Sequence, residues 1–379
     1  VDSFNLVIDE NSHFLDDDAC RKISTRVHAD EGCDLKLSSY PKTRFYGSKR
    51  RQLNWLFPHL RRLSGTTVLD AFGGTGSVSL LFSQLGKLVT YNDVFRFQEI
   101  SAKALLGDLG GLVLAPERLA SFLATVTPRN GLVTQCFQGL YFTQAENGWL
   151  DGVMERISCV ASIPEKSVLL YCLFQACLSK RPYNLFHRAN LNIRQSKEHV
   201  SFGNRTTWEK SFGEHMMSAY RELIRGRKLL KHPINVMPCG SVEDLDIGFD
   251  IVYMDPPYFN SHRYTESYLL RYHFLEGLAR FDEWESLIEH GSKIKKLSDN
   301  AVPAEWRSKH DFTPALFSLI DRFRSSTVVL SYVADAHPNE NQIAEHFESR
   351  FKKCRVIRMD CRRTLSRRIR TELLFIGEP

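Results

Sequence analysis

Apolar positions follow two rhythms along this chain. Behind a Gly47-Ser48 turn, Leu53, Leu56, Phe57 and Leu60 recur at helical spacing, which predicts an amphipathic helix. "TTVLD" is a short apolar strand, "AFGGTG" a glycine-rich turn, and "SVSLLFSQLG" a helix that Gly86 can end. "KLVTYNDV" predicts a second strand that finishes at Asn92 and Asp93. Strand, glycine turn, helix, strand is the βαβ signature of a parallel sheet covered by helices. Residues 97–233 then carry few strand-like runs. Ser167 to Leu178 is apolar on nearly all sides and predicts a buried helix. Residues 204–230 predict one long helix after a Thr cap, with its basic end last, as the helix dipole prefers. The strand rhythm returns in "INVMPCGSVEDL", "FDIVYMDPPY" and "SSTVVLSYV". It closes on two strands joined by an arginine-rich loop, "CRVIRMDCRRTLSRRIRTELLFIG". The simplest organisation is an α/β sheet domain interrupted by a mostly helical insertion. Residues 1–40 form an irregular or helical lead-in, 41–96 the first part of the sheet domain, 97–233 the insertion and 234–379 the second part.

Composition narrows the class. The 379 residues, 43% of them hydrophobic, suffice for one large domain or two modest ones. No apolar run reaches the roughly 18 residues a membrane helix needs. The acidic N-terminus lacks a basic-then-apolar signal pattern, and the absence of an initiator Met suggests a trimmed or processed chain. Nine scattered cysteines without a Cys-x-x-Cys pair predict reduced thiols in an intracellular protein, with neither a disulfide frame nor a zinc site. The net charge of +6 is mild, but its distribution is uneven. Lys352 to Arg370 holds nine basic residues and one acid, and Lys180 to Arg194 four basic residues and no acid. Such clusters suit a polyanion, and each taken alone also fits a solvated surface.

The glycine turn, with Gly73, Gly74 and Gly76 between strand and helix, lets backbone approach a ligand closely. Asp93 lies at the end of the next strand, where an acid can accept hydrogen bonds from both hydroxyls of a ribose. A dinucleotide would place its pyrophosphate at the helix N-terminus. S-adenosylmethionine would bring a sulfonium, an amino-acid end and an adenosine. The turn alone leaves both open, together with a tight turn that binds nothing.

Asp255-Pro256-Pro257-Tyr258 follows a strand of the same sheet, so its acid faces the crevice at the strands' carboxyl ends. The chemistry that fits is methylation of an exocyclic amine on a base. Such a nitrogen is a poor nucleophile, because its lone pair is delocalised into the ring. If the Asp255 carboxylate and the Pro256 carbonyl both accept from the NH₂, the nitrogen is drawn toward tetrahedral geometry and its lone pair is freed. The carboxylate also stabilises positive charge growing on nitrogen. The prolines fix two φ angles, and Tyr258 offers a face on which an extruded base can stack, worth about 1–3 kcal/mol. No metal is required. A strand that merely ends in an Asp-Pro turn is the plainer alternative.

These residues resemble the amino-methylating DNA methyltransferases, most closely the Dam-like adenine-N6 enzymes with the cofactor motif before the DPPY motif. The family pattern Asp-x-Phe-x-Gly-x-Gly is met by Asp70, Phe72, Gly74 and Gly76. Its ribose-binding acid matches Asp93, and its catalytic tetrapeptide matches Asp255, Pro256, Pro257 and Tyr258, with Asp255 also bordering the cofactor. "FYGSK" looks like the segment that holds the methionine end of the cofactor, which maps onto Tyr46, Gly47, Ser48 and Lys49. Ser241 stands where the family contacts the cofactor adenine and often carries an acid. The resemblance implies a class I S-adenosylmethionine-dependent methyltransferase (Rossmann-like) sheet with a reversed terminal strand. It also implies S-adenosyl-L-methionine as cofactor, double-stranded DNA with a flipped adenine as partner, and target recognition in the 97–233 insertion. A restriction–modification or related bacterial or phage setting follows, with a cognate restriction endonuclease as candidate partner, no membrane, and a cytoplasmic, nucleoid-associated place of action.

For DNA contact, "SKRPYNLFHRANLNIR" is the best candidate. Lys180, Arg181, Arg188 and Arg194 can neutralise phosphates; Asn184, Asn190 and Asn192 can read adenine edges, and Arg guanine. His187 and Phe186 could stack, with Phe186 favoured for the core. Arg362, Arg363, Arg367, Arg368 and Arg370 sit on the terminal hairpin, and His262 and Arg263 follow the tetrapeptide closely; these would set register on the backbone. Three alternatives stay open. A cytosine-N4 enzyme usually carries Ser at position 255. An RNA or protein-amide methyltransferase more often carries Asn there. A catalytically silent DNA-binding module would not need the intact glycines, Asp93 and tetrapeptide.

Overall fold

The computed structural model describes residues 35, 37–42, 44–196, 205–260, 267–298, 303, 306–362 and 369–379. α1 (Leu53–Leu60), β1 (Thr67–Asp70), α2 (Ser77–Gln84), β2 (Leu88–Tyr91) and α3 (Arg96–Leu105) come first. A helical stretch follows: α4 (Pro116–Ala124), α5 (Leu132–Cys136), α6 (Gln144–Ser158), α7 (Ile163–Ser179), α8 (Leu191–Gln195), α9 (Arg205–Glu209) and α10 (Phe212–Arg227). Strands then resume with β3 (Asn235–Val236), β4 (Ile251–Met254) and β5 (Phe259–Asn260), followed by α11 (Tyr268–Ala279), α12 (Trp284–Leu287) and α13 (Lys309–Arg322). The chain closes with β6 (Thr327–Val333), β7 (Ala336–His337), α14 (Glu340–Arg350), β8 (Lys353–Arg362) and β9 (Ile369–Glu378).

Seven strands form one sheet in the order β3-β2-β1-β4-β6-β9-β8. The first five of these are parallel, and β9 runs antiparallel to both β6 and β8. The reversed strand implied by the resemblance is therefore present, and the fold is that of a class I methyltransferase. Both faces of the sheet are covered, which is why its strands read as nearly continuous apolar runs. Leu69, Val252, Met254, Val328 and Phe375 pack toward α13 and α14 through Leu316, Ile320, Ile343 and Phe347. Alternate residues Val68, Ile251, Tyr253, Val329 and Leu374 pack toward α1 and α2 through Leu53, Leu56, Leu81 and Phe82.

A third core lies in the helical layer. Phe97 and Ile100 of α3 enter it, while Ala102 and Leu105 of the same helix join the sheet-side core. Leu269, Phe274 and Trp284, from the helices after β5, also belong to it. The core of the 97–233 region is thus completed by residues that follow the tetrapeptide.

Two elements differ from expectation. Residues 205–227 are two helices, because Ser211 and Glu214 form a capping box: the Ser211 amide donates to Glu214 Oε2 at 2.7 Å, and the Glu214 amide to Ser211 Oγ at 3.2 Å. That local cap restarts the helix. In "INVMPCGSVEDL" only Asn235 and Val236 join the ladder: the Met237 amide still donates to the Tyr91 carbonyl at 3.0 Å, but the Cys239 amide, the next to face β2, donates instead to Glu99 Oε2 at 3.1 Å. Most of the 1–40 lead-in lies outside the described residues, although Tyr40 is buried and Leu35 and Leu37 pack on the sheet-side core.

Candidate active site

β1, β2 and β4 are parallel neighbours, so Asp70, Asp93 and Asp255 emerge along one edge of the sheet. A cavity of about 450 Å³ opens there. Its wall includes Gly47, Ser48, Lys49, Asp70, Phe72, Gly74, Asp93, Ser241, Asp255, Pro257 and Tyr258, which brings together most of the residues singled out from the motifs. Tyr46, Gly76 and Pro256 stand just behind it. The Tyr46 amide donates to the Tyr272 hydroxyl at 2.6 Å, and its ring lies 4.0 Å beneath the Arg271 guanidinium. Pro256 is buried.

The glycine turn is built by close approach. A Cβ on Gly73 would lie 2.1 Å from the Tyr91 ring, so β2 and the turn can meet only with a hydrogen at that position. Gly76 has φ +69° and precedes α2; a Cβ there would lie 2.5 Å from Leu106, besides straining the backbone. The Tyr91 hydroxyl donates to the Gly74 carbonyl at 2.7 Å and locks the turn to the strand end.

Around this turn the acids retain spare acceptor capacity. Asp70 is 1% exposed; its Oδ2 accepts from the Ser79 hydroxyl at 2.5 Å, while its buried Oδ1 has no hydrogen-bond partner. Burial pushes its carboxyl up to about 7, against the pull of the Ser79 hydrogen bond. Asp93 accepts the Gly74 amide at Oδ2 and the Phe95 amide at Oδ1, both at 2.9 Å, and its half-buried side chain borders the cavity. Burial again raises it to about 7, and the two amides oppose the rise. Ser241 accepts from the Glu243 amide at 3.3 Å and caps a short turn on the cavity wall.

Asp255 sits at the head of a chain of alternating charge. Lys49 Nζ lies 3.0 Å from Asp255 Oδ1 and 3.7 Å from Glu372 Oε2. Arg370 Nε lies 2.9 Å from Glu372 Oε1, and the same guanidinium donates to the Tyr258 hydroxyl and covers its ring, 5.2 Å from the centroid. Burial raises the Asp255 carboxyl, and Lys49 counteracts it. Lys49, assigned by resemblance to the cofactor, is thus bound to the acid of the tetrapeptide. Arg370, read from its hairpin as a DNA contact, is tied to Tyr258.

Glu372 belongs to none of these motifs. Its signal was an acid in "TELLFIG", a run otherwise apolar enough for a strand buried on both faces. Tyr268 and Trp306 also line the cavity and belong to no motif, as does Thr75, an unspecified position within the glycine turn. Trp306 packs edge-on against Phe72 at 5.2 Å.

The basic cluster of the insertion is arranged otherwise, and here the reading of Lys180, Arg181 and Arg194 as phosphate contacts is corrected. Lys180 and Arg194 both pair with Glu146 Oε1, at 2.9 and 2.7 Å, with side chains 3% and 7% exposed. Arg181 is 1% exposed and donates to the carbonyls of Leu185, Arg188 and Ala189 at 3.1, 2.6 and 2.8 Å, stapling that loop. Burial lowers its pKa to about 9. Cations buried to this degree hold the loop and present no surface to a phosphate. Phe186 is in the core. His187 is half-buried, and burial with Arg271, Arg188 and Arg181 nearby lowers it to about 4, so it stays neutral. Arg188 and Asn192 are exposed, and Asn184 and Asn190 half-buried with positive φ. Arg362 ends β8 opposite Ile369. His262, Arg263, Arg363, Arg367 and Arg368 lie outside the described residues.

No helix among the described residues is long and apolar enough to cross a membrane. Comparison with known proteins bears on the family. A profile of the D12 class N6 adenine-specific DNA methyltransferases matches residues 45–306, a span from the Tyr46 segment through the glycine turn and tetrapeptide to Trp306. The type II methyltransferase M.NlaIII of Neisseria lactamica is 24% identical over 336 residues, which cover 84% of this chain and 91% of the relative. The chain belongs to the D12 class N6 adenine-specific DNA methyltransferases.

Proposed function

We propose that this chain moves a methyl group from S-adenosyl-L-methionine to N6 of an adenine extruded from double-stranded DNA, with Asp255 and the Pro256 carbonyl as acceptors for the amine. The observation that carries this reading is the meeting of three strand-end acids at one cavity, two of them with unspent acceptor capacity and the third locked between a lysine and two prolines.

The residues present fit the cofactor. Asp70 Oδ1, buried without a partner, suits the cationic amino group of a methionine end. Asp93 has lone pairs free for ribose hydroxyls beyond the two amides it accepts. Gly47, Ser48, Gly74 and Ser241 border the same space. When bound, S-adenosylmethionine supplies a methyl group carried on a sulfonium. The protein's part is to present the amine. Lys49 engages Asp255 Oδ1, and the second oxygen is left to accept from N6–H. With the Pro256 carbonyl as second acceptor, the nitrogen loses conjugation with the ring and its lone pair turns to the methyl. The Asp255 carboxylate stabilises the charge that appears on nitrogen, and the surplus N–H proton leaves through it to water. Tyr258, braced by Arg370 and by Tyr332 at 5.9 Å, serves as the stacking wall for the base. A paired adenine hides its amine, which is why the base must leave the duplex.

Backbone contact falls to the exposed Arg188 and to Arg362, Arg363, Arg367 and Arg368 of the hairpin, and base reading to Asn190 and Asn192. The kinship with a type II methyltransferase supports a restriction–modification role beside a cognate endonuclease, exercised on DNA in the cytoplasm.

The test is incubation of purified protein with labelled S-adenosylmethionine and, separately, DNA, RNA and protein, followed by nucleoside analysis. Label in N6-methyladenine of DNA is expected; label in cytosine or RNA alone overturns the substrate.

A further inference from the structure

Glu372 is the acid that the reaction as drawn does not use. It lies on β9, opposite Val333 of β6, and is followed by the buried apolar run Leu373 to Ile376. Its side chain is 4% exposed. A carboxylate in such a strand is costly unless paired, and its two oxygens serve different cations. Oε1 holds Arg370 at 2.9 Å; Oε2 faces Lys49 at 3.7 Å and makes no hydrogen bond. Lys49 in turn leans to Asp255, and Arg370 to Tyr258. The four charges alternate and sum to zero.

We propose that Glu372 is a positioning residue that ties the two ends of the Asp255–Tyr258 tetrapeptide together, steadying Lys49 behind the acceptor and Arg370 behind the stacking wall. The assignment rests on the proposed amine chemistry. Because Lys49 is shared between two carboxylates, it fixes the direction of Asp255 without fully quenching its charge. Because Arg370 is anchored, the Tyr258 ring cannot swing from the base. One acid thereby sets both the hydrogen-bond acceptor and the wall, across a turn that its two prolines already stiffen.

The groups that face Asp255 are Lys49, Glu372 and Arg370, with Asp70 from the neighbouring β1 and the Tyr253 phenol from β4, the strand it follows. The negative charge of Glu372 raises the Asp255 carboxyl. Its removal leaves Lys49 undivided, so Asp255 becomes more acidic.

The experiment measures single-turnover methylation of unmethylated genomic DNA against pH for the full chain and for Glu372→Gln, Glu372→Asp and Asp255→Ala. Cofactor affinity by calorimetry and thermal unfolding are recorded beside it. Glu372→Gln is expected to lower the rate roughly 10²-fold, the cost of a misplaced reacting group, with cofactor affinity unchanged. The acid limb of its profile moves to lower pH. Glu372→Asp restores the limb and part of the rate. A folded Glu372→Gln with the wild-type rate and limb overturns the proposal, as does a loss with an unmoved limb that Glu372→Asp leaves in place. Should Glu372→Gln not fold, Glu372→Asp decides alone. A slowed rate at normal affinity supports the proposal, and an unslowed rate overturns it. An inactive Asp255→Ala beside a normal Glu372→Gln sinks this inference only, whereas an active Asp255→Ala sinks the proposed chemistry itself.

Discussion

The sheet edge and the helical insertion both bury charge, but they use it differently. In the insertion, Glu146 takes up Lys180 and Arg194, and Arg181 spends its guanidinium on three carbonyls of its own loop. At the sheet edge, Asp70 keeps an orphaned oxygen, Asp93 borders a cavity, and Lys49 is shared between two acids. Burial alone therefore does not mark a site. Unspent hydrogen-bonding capacity beside open space does, because a group already satisfied has nothing to offer a ligand.

The contrast can be broken most sharply at Asp255. Asp255→Ala should cut methyl transfer by about 10³-fold, the scale of losing a group aimed at developing charge. Calorimetry should show cofactor binding largely retained; equal loss of both would assign Asp255 to the cofactor.

Glu146→Ala probes the other side. It strands two cations with little exposure, and stability should fall by about 3 kcal/mol in denaturant titration. Turnover per folded molecule should hold. A variant that unfolds normally yet binds DNA poorly would return Glu146 and its partners to the nucleic-acid interface.

Acidity distinguishes the sheet edge as well. Asp70 and Asp93 hold protons up to about pH 7 because burial disfavours their charge. A ligand that donates to them favours the ionised form, so cofactor affinity should be full above pH 7. It should weaken as pH falls through that value, by up to about tenfold per unit for each group. A flat profile from pH 8 to 6 would mean that neither acid meets the ligand. The smallest effect is expected at the helix restart: Ser211→Ala should cost about 1 kcal/mol of stability, read by thermal unfolding, without change in methylation.

The site was legible where its chemistry is local. The glycine turn, Asp93 and the tetrapeptide each stand at a strand end, and strand ends are readable from apolar runs a few residues long. The terminal hairpin was legible for the same reason. The fate of the basic cluster was not: Arg194 meets Glu146 across 48 residues, and no period in the chain announces that pairing. Glu372 was hidden differently, as one acid in a strand that is otherwise apolar from Leu373 to Ile376. The break before α10 was written in Ser211 and Glu214, but Thr206 and Thr207 upstream offered a competing cap.

In the proposed reaction, the acid fixed between Lys49 and two prolines activates an adenine amine. Modified-base sequencing of DNA from cells expressing the protein, beside cells expressing Asp255→Ala, tests it most directly. N6-methyladenine at one recurring short sequence, absent with the variant, is the predicted result. Methylation that persists with the variant, or that falls on cytosine, would contradict it.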